Sequence, residues 1–259
     1  LIHMEKRKFM GYKIAISAAL YMFAMGGLSA TFSVVYAFLP EHFNVSLTQL
    51  AAGGSVGVFS AMIFGMFASI VIDKLGARLC MFLGAVIMFA YSMFTAYMRS
   101  FWGVVCSFLC IGAMLAFANQ GTVTALLIPW FIEKRATIIS TCVAANMFGI
   151  FIYQLIGGQI VEKFGLTKLY IIFGGVTCAV LAVCSLLVRN RPEEVGQTAL
   201  GAENAKKGAE TSADKNTECV SKKVLYKNPV FWLMVIASIL VGSAVSQTGT
   251  YMTIYFPQY

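Results

Sequence analysis

The sequence predicts an all-α membrane protein of seven transmembrane helices, the first six forming one bundle. Three observations carry this. Residues of the AVILMFWYC set make up 59% of the 259 positions and charged residues only 12%, where a soluble domain carries roughly 25% charged residues. Several apolar runs exceed the ~18 residues that mark a membrane-crossing helix. Those runs are continuous, not alternating, which argues against a β-barrel.

The first span is expected over residues 12–39, followed by a short loop at 40–45. Ser46 or Thr48 can cap the second span, residues 48–72. This span carries Gly53, Gly57, Ala61, Gly65 and Ser69 four residues apart. Small residues at that spacing let another helix approach closely. A four-residue step drifts by ~40° on a helix, so the stripe wraps around it. A charged turn follows, SIVIDKLGAR at 69–78, with Asp73, Lys74, Gly76 and Arg78. The third span is residues 79–97, then a short turn holding Arg99, then a fourth span at 102–128. The turn PWFIEKR at 129–135 brings Lys134 and Arg135. The fifth span is 137–161, the turn VEKFGLTK occupies 161–168, and the sixth span is 169–188.

Residues 189–228 differ in kind: rich in Glu, Lys, Ala, Gly and Thr, with Tyr226 as the one aromatic. Such composition predicts a central loop whose middle is disordered or loosely helical. Pro229 suits a helix N-terminus and opens a seventh span at 229–256. The organisation is thus a six-helix part at 1–188, a loop at 189–228 and a seventh helix within 229–259.

With the N-terminus inside, sixteen of the 19 Lys and Arg fall in the segments of one side. Arg99, Lys163 and Lys168 fall on the other. The bias predicts a cytoplasmic N-terminus and central loop in a multi-pass protein of the cell membrane, plasma or inner. It also accounts for the net charge of +8 without nucleic acid. The basic start EKRKF leads into an apolar run too long for a cleavable signal core. Leu1–His3 precede Met4, an expected initiator, and are left out of the fold reasoning.

Of the seven Cys, six lie in apolar segments and Cys219 lies in the loop. Buried thiols fit better than a metal site or a disulfide framework. His3 and His42 sit near segment ends, and no metal or cofactor is expected. No Asp, Glu, Lys or Arg lies deep within any expected span. An intramembrane enzyme would need such a group as base or ligand, so no enzyme is expected.

Between IDKLGAR and VEKFGLTK, acid, Lys, apolar residue and Gly recur at an offset of 89 residues. Each turn follows the second helix of a set of three, and the two face opposite sides. An inverted three-plus-three repeat leaves this mark.

These residues resemble the major facilitator superfamily of secondary transporters. Its signature between the second and third helices reads G-x-x-x-D-[RK]-x-G-[RK]-[RK]. Ser69, Asp73, Lys74, Gly76 and Arg78 stand in that frame, with Ser69 for the leading Gly and Ala77 for the first closing basic residue. Ala before a single Arg, WFIEKR at 130–135 and PVFW at 229–232 are similar to the oxalate:formate antiporter and monocarboxylate transporter branches. The resemblance implies six helices forming an N-terminal major-facilitator half, a central loop, and a seventh helix opening a C-terminal half whose remaining helices are not in this chain. It implies alternating access for a small organic anion, a monocarboxylate or dicarboxylate, with the lipid bilayer and the missing half as partners. Asp73 and Arg78 would hold the inward gate by charge pairing and helix-end contacts.

The candidates for the substrate cavity are uncharged. Gln120 lies ten residues before Trp130 and Asn146 eleven after Arg135, hence both ~15 Å from the basic side at 1.5 Å per residue. That is near the middle of a ~30 Å hydrocarbon core. Tyr153 and Gln247 are further candidates, as is Tyr36, which the resemblance brings in. Helix-to-helix hydrogen bonding is the competing role for each. In place of the aromatics that oxalate-type members are similar in placing here, this chain has Gln120 and Asn146, which points to a different or larger anion. A seven-helix receptor or sensor is the alternative, against which the cytoplasmic N-terminus counts.

Overall fold

The computed structural model describes residues 10–43, 47–97, 101–201, 228–234, 236–238 and 240–241, with side chains for all but 28–43, 47–51, 101 and 166. Two compact units separate, Leu1–Ala205 and Lys206–Tyr259. In the first, the α-helices are α1 (Gly11–Phe43), α2 (Leu47–Leu75), α3 (Ala77–Tyr97), α4 (Phe101–Phe117), α5 (Gln120–Leu127), α6 (Arg135–Phe164) and α7 (Leu166–Leu187), then one 3-10 turn at Pro192–Val195. In the second, residues 229–234 are helical, as are 236–238 and 240–241. The middle of the central loop, the end of the seventh span, Arg99, Cys219 and Gln247 lie outside the described residues.

Helices dominate because hydrocarbon offers the backbone no water, so each N–H and C=O must pair within its own segment. Among the described residues, five stretches are long and apolar enough to cross a membrane: Ala52–Leu75, Ala77–Tyr97, Trp102–Leu127, Arg135–Phe164 and Thr167–Leu187. α1, with 33 residues, is ~50 Å long. It runs on past Pro40 to Phe43, where a loop was expected.

The turns are tighter than the charge pattern suggested. Asp73 and Lys74 belong to the last turn of α2 and Arg78 to the first turn of α3, leaving Gly76 alone between the helices. Gly165 stands likewise between α6 and α7. Their φ angles are +89° and +80°, a region that glycine enters without Cβ cost. Each closes the preceding helix, Gly76 N–H on Ile72 O at 3.1 Å and Gly165 N–H on Val161 O at 2.9 Å.

α1 packs most extensively on α6, α2 on α4, and α3 on α7. Smaller interfaces join α3 to α4, α1 to α7, α2 to α3 and α6 to α7. The crossings are close. A Cβ on Gly112 of α4 would lie 2.2 Å from Gly57 O and 2.6 Å from Ser60 Cβ of α2. A Cβ on Gly149 of α6 would lie 2.0 Å from Phe23 O of α1. Tyr21, Met81, Met88, Met114, Leu126 and Trp130 are fully buried in the resulting core. The outer stripes of α2 and α6 stay open: only 17% and 11% of their spans are buried, against 50% for α3.

The fourth span, expected at 102–128, is one apolar stretch at Trp102–Leu127, within which Ala118 and Asn119 leave the helix between α4 and α5.

Candidate functional site

The break between α4 and α5 lies in the middle of the bundle. Eight residues of α5 put its start ~12 Å from the basic end. The basic end is the one carrying Lys13, Lys74, Arg78, Lys134 and Arg135. A broken helix exposes carbonyls above and amides below, and in an apolar medium these need partners. The local sequence supplies the carbonyl partners. Asn119 Nδ2 donates to Ala116 O at 3.2 Å, and Thr122 Oγ1 donates to Phe117 O at 2.9 Å. Cys80 Sγ of α3 also donates to Phe117 O, at 3.5 Å. Asn119 Oδ1 accepts the Thr122 N–H at 3.0 Å, capping α5. α3 comes in closely here: a Cβ on Gly84 would lie 2.8 Å from Ala118 Cβ and 3.1 Å from Tyr21 Oη. Tyr21 in turn donates to Met81 O at 3.2 Å.

The first residues of α5, Gln120 and Gly121, are exposed. The α5 N-terminus with its positive dipole end therefore opens to the unburied side of the bundle at mid-depth. Asn146 lies at the same depth on α6, half-buried, but its amide is committed: Nδ2 donates to Met22 O of α1 at 2.9 Å. A Cβ on Gly26 would lie 2.8 Å from that Nδ2. Tyr153 is likewise occupied between helices. Its ring packs 4.7 Å from Phe173 and 6.2 Å from Phe23, and its hydroxyl lies 3.1 Å from Thr177 Oγ1. Gln120 thus faces open space, while Asn146 and Tyr153 join helices. The side chain of Tyr36 and all of Gln247 lie outside the described residues.

The small-residue stripe of α2 divides. Gly53 meets the Phe108 ring, Gly57 meets Phe108 O, and the Ala61 N–H lies beside Gly112, all on α4. Gly65 has nothing within 4 Å, and Ser69 is exposed. The wrap of a four-residue stripe around the helix produces this change of face.

At the basic end, two arginines cap neighbouring helices. Arg78 Nε and Nη2 donate to Ser185 O and Leu186 O, at 3.2 and 3.1 Å, in the last turn of α7. Arg135 Nε and Nη2 donate to Phe131 O and Ile128 O, at 3.0 and 3.2 Å, just past α5. A cation at a helix C-terminus satisfies orphan carbonyls and complements the dipole. Neither described guanidinium bond of Arg78 goes to Asp73, which is exposed beside Lys74. Asp73, Lys74, Asn190, Arg191 and Glu194 line a cleft of about 310 Å³ at this end.

The start of the central loop is built into the same end. Asn190 Oδ1 accepts the Arg78 N–H at 2.8 Å, capping α3 from outside. Trp130 Nε1 donates to Arg189 O at 3.1 Å. Leu200 N–H donates to Trp130 O at 2.9 Å, and Leu200 O accepts from Ile132 and Glu133. Met10 N–H donates to Gln197 Oε1 at 2.9 Å. Residues 189–200 thus strap the third, fourth and fifth spans and the first helix together. Lys134, with φ +60°, is the one non-glycine residue at positive φ among the described residues. It sits where the chain turns from this strap contact into α6.

The break was not read from the sequence. Its signal is the run FANQGT at 117–122: an amide that caps, then Gly and Thr, inside an otherwise apolar stretch. Chemically, a capped half-helix at mid-depth offers backbone N–H groups and a dipole end to an anion. The family model described as Major Facilitator Superfamily matches residues 14–259. No curated protein matches the chain.

Proposed function

The chain belongs to the major facilitator superfamily, whose members are membrane transporters, and from that membership we propose that it serves the transport of a small organic anion by alternating access. One observation supports the choice of substrate: the exposed N-terminus of α5, capped by Asn119, at the depth where such a substrate would sit. Gln120 beside it supplies an adaptable amide, and Asn146 holds α1 against α6 at the same level. The anion is a monocarboxylate or dicarboxylate, as the similarity of WFIEKR and PVFW to antiporter branches implies. In this reading Tyr153 supports the cavity wall.

The layout we propose is an inverted repeat of three plus three spans over residues 1–188, then a loop at 189–228 and a seventh span. Three features support it. The turns at Gly76 and Gly165, 89 residues apart, share one positive-φ geometry. Moving Phe23 forward and Gly149 back by the same offset turns their contact into that of Gly112 with Ser60. The pairing of spans is also unchanged when the two sets of three are exchanged: first on fifth becomes fourth on second, and third on sixth maps to itself. The open faces of α2 and α6 suit a second six-helix half. In this reading the basic end faces the cytoplasm across a plasma or inner membrane, an orientation the charge bias supports. There Arg78, Arg135 and the strap hold the inner gate. The receptor alternative draws no support from the family match.

The test is a thermal-shift screen of small organic acids on the purified chain in detergent. Carboxylates are expected to raise Tm, and Asn119→Asp is expected to weaken that effect by putting negative charge where the anion sits. A screen in which neutral sugars or organic cations stabilise the chain and no carboxylate does would overturn the substrate class.

A further inference from the structure

A second feature of the basic end lies outside the proposed substrate cavity. Between the first turn of α3 and the last turn of α7 lies a groove of about 410 Å³, lined by Leu75, Arg78, Leu79, Phe82, Leu186 and Asn190. Its walls are apolar and open: Leu75 and Leu186 are each 59% exposed, Leu79 39% and Phe82 38%. Its rim is cationic. Arg78 uses Nε and Nη2 to cap α7, and Asn190 uses Oδ1 to cap α3. The other guanidinium nitrogen and the Asn190 Nδ2 carry no described bond. No Asp or Glu is among the described residues that line the groove.

Arg78 is the second residue of a membrane-length helix, so the groove lies where hydrocarbon gives way to headgroups. A lone soluble anion would satisfy the rim and leave the apolar walls bare. A neutral acyl chain would cover the walls and leave the donors unmet. An anionic phospholipid meets both demands, because guanidinium and phosphate form charge-assisted bonds and the chain continues down the wall. We propose that this groove seats one anionic phospholipid, its phosphate held by Arg78 and Asn190 and one acyl chain lying over Leu79 and Phe82. The bound lipid spans the α3–α7 contact that Arg78 clamps. The site is independent of what the chain carries across the membrane and needs only that α3 and α7 cross it.

The two roles of Asn190 can be separated. Asn190→Asp keeps an acceptor for the Arg78 N–H, so the α3 cap survives, but it removes the Nδ2 donor and adds negative charge at the rim. Leu186→Glu adds charge from an exposed wall position and leaves the Leu186 carbonyl in place. The purified chain is delipidated in detergent and titrated with phosphatidylglycerol or phosphatidylcholine. Retained lipid is counted by native mass spectrometry and Tm is recorded. The wild-type chain is expected to retain phosphatidylglycerol over phosphatidylcholine by about fivefold or more, the size of one basic contact at a membrane surface. Each variant is expected to lose about fivefold of that retention, with the lipid-free Tm of Asn190→Asp unchanged or higher. Leu186→Glu decides the matter by itself if Asn190→Asp does not fold. Equal retention of the two lipids overturns the proposal, as does undiminished phosphatidylglycerol retention in the folded variants. A rise in Tm from inorganic phosphate that equals the rise from phosphatidylglycerol assigns the groove to a soluble anion and overturns it too.

Discussion

Replacing Asn119 with Ala tests whether the break in the fourth span is held by its own side chain. The amide makes two short bonds there, accepting from Thr122 N–H at 3.0 Å and donating to Ala116 O at 3.2 Å, beside a longer contact from Thr122 Oγ1 at 3.5 Å. Loss of an N-cap acceptor costs about 1 kcal/mol. Leaving a half-buried carbonyl without its donor costs about 1–2 kcal/mol more. The Phe117 carbonyl is held separately by Thr122 and Cys80, so the loss stops at about 2–3 kcal/mol. For a chain of this size that corresponds to a fall in Tm of roughly 5–10 °C. Asn119→Asp keeps the acceptor and loses only the donor, so its Tm should fall by about half as much. The assay is thermal unfolding of the purified chain in one detergent, with intrinsic fluorescence as readout. An unchanged Tm for Asn119→Ala would show that packing alone imposes the break. A raised Tm would show that the sequence heals into a continuous helix, and the site built on the α5 N-terminus would fall with it.

Three further outcomes are expected. Gly76→Ala should destabilise more than Gly165→Ala, because both force alanine to positive φ at about 1–2 kcal/mol but only the Gly76 Cβ also meets a neighbour, 2.4 Å from Asn190 Nδ2; equal Tm losses would remove Asn190 from the cap. Arg78→Ala should cost about 1–2 kcal/mol through the uncapped end of α7, measured by denaturation, and Arg78→Lys should recover only part of it because one ammonium does not reproduce the two-pronged contact. Trp130→Phe loses the bond to Arg189 O at 3.1 Å and leaves a small cavity at a fully buried position, so limited proteolysis should cut near residues 189–200 several-fold faster while stability falls by about 2 kcal/mol.

Most of the helical skeleton was legible because a bilayer leaves so few choices. Apolar length gave the spans to within a few residues, as with α3, expected from 79 and starting at Ala77. Acid, Lys and Gly marked both one-residue turns. Hydropathy could not report the break at Asn119, because two residues leaving a helix barely change the apolar content of a window. Nor could it assign the amides. Asn146 and Gln120 look equivalent by depth, yet one donates to Met22 O and the other is exposed, a difference set by which neighbour packs on α6 and on α5. Composition also hid the order in residues 189–201. Polar loop residues there are fixed by backbone bonds to the Trp130–Glu133 turn, which no local pattern announces.

The two main crossings lead to a last expectation. At one, Gly112 of α4 meets the backbone of α2; at the other, Gly149 of α6 meets the backbone of α1. Under the proposed repeat, Gly112 corresponds to Phe23 and Gly149 to Ser60, so the glycine sits on opposite members of the two pairs. What the pairs share is therefore the close approach of two backbones, which either partner can supply. The obstacle a new methyl meets then decides its cost. A Cβ at Gly149 would lie 2.0 Å from the Phe23 carbonyl oxygen, which cannot turn away. A Cβ at Gly27 would lie 2.4 Å from the Tyr153 ring, a side chain that can tilt by easing its contacts with Phe173 and Thr177. Gly149→Ala must push α1 from α6 and strain the Asn146 bond to Met22 O, at about 2–3 kcal/mol. Gly27→Ala should cost about 1 kcal/mol, the price of shifting one ring. Tm measurements on both variants, with a disulfide cross-linking rate between cysteines introduced on α1 and α6 as distance readout, separate the two. If Gly27→Ala proves as damaging as Gly149→Ala and slows cross-linking as much, backbone contact is not what sets the α1–α6 distance.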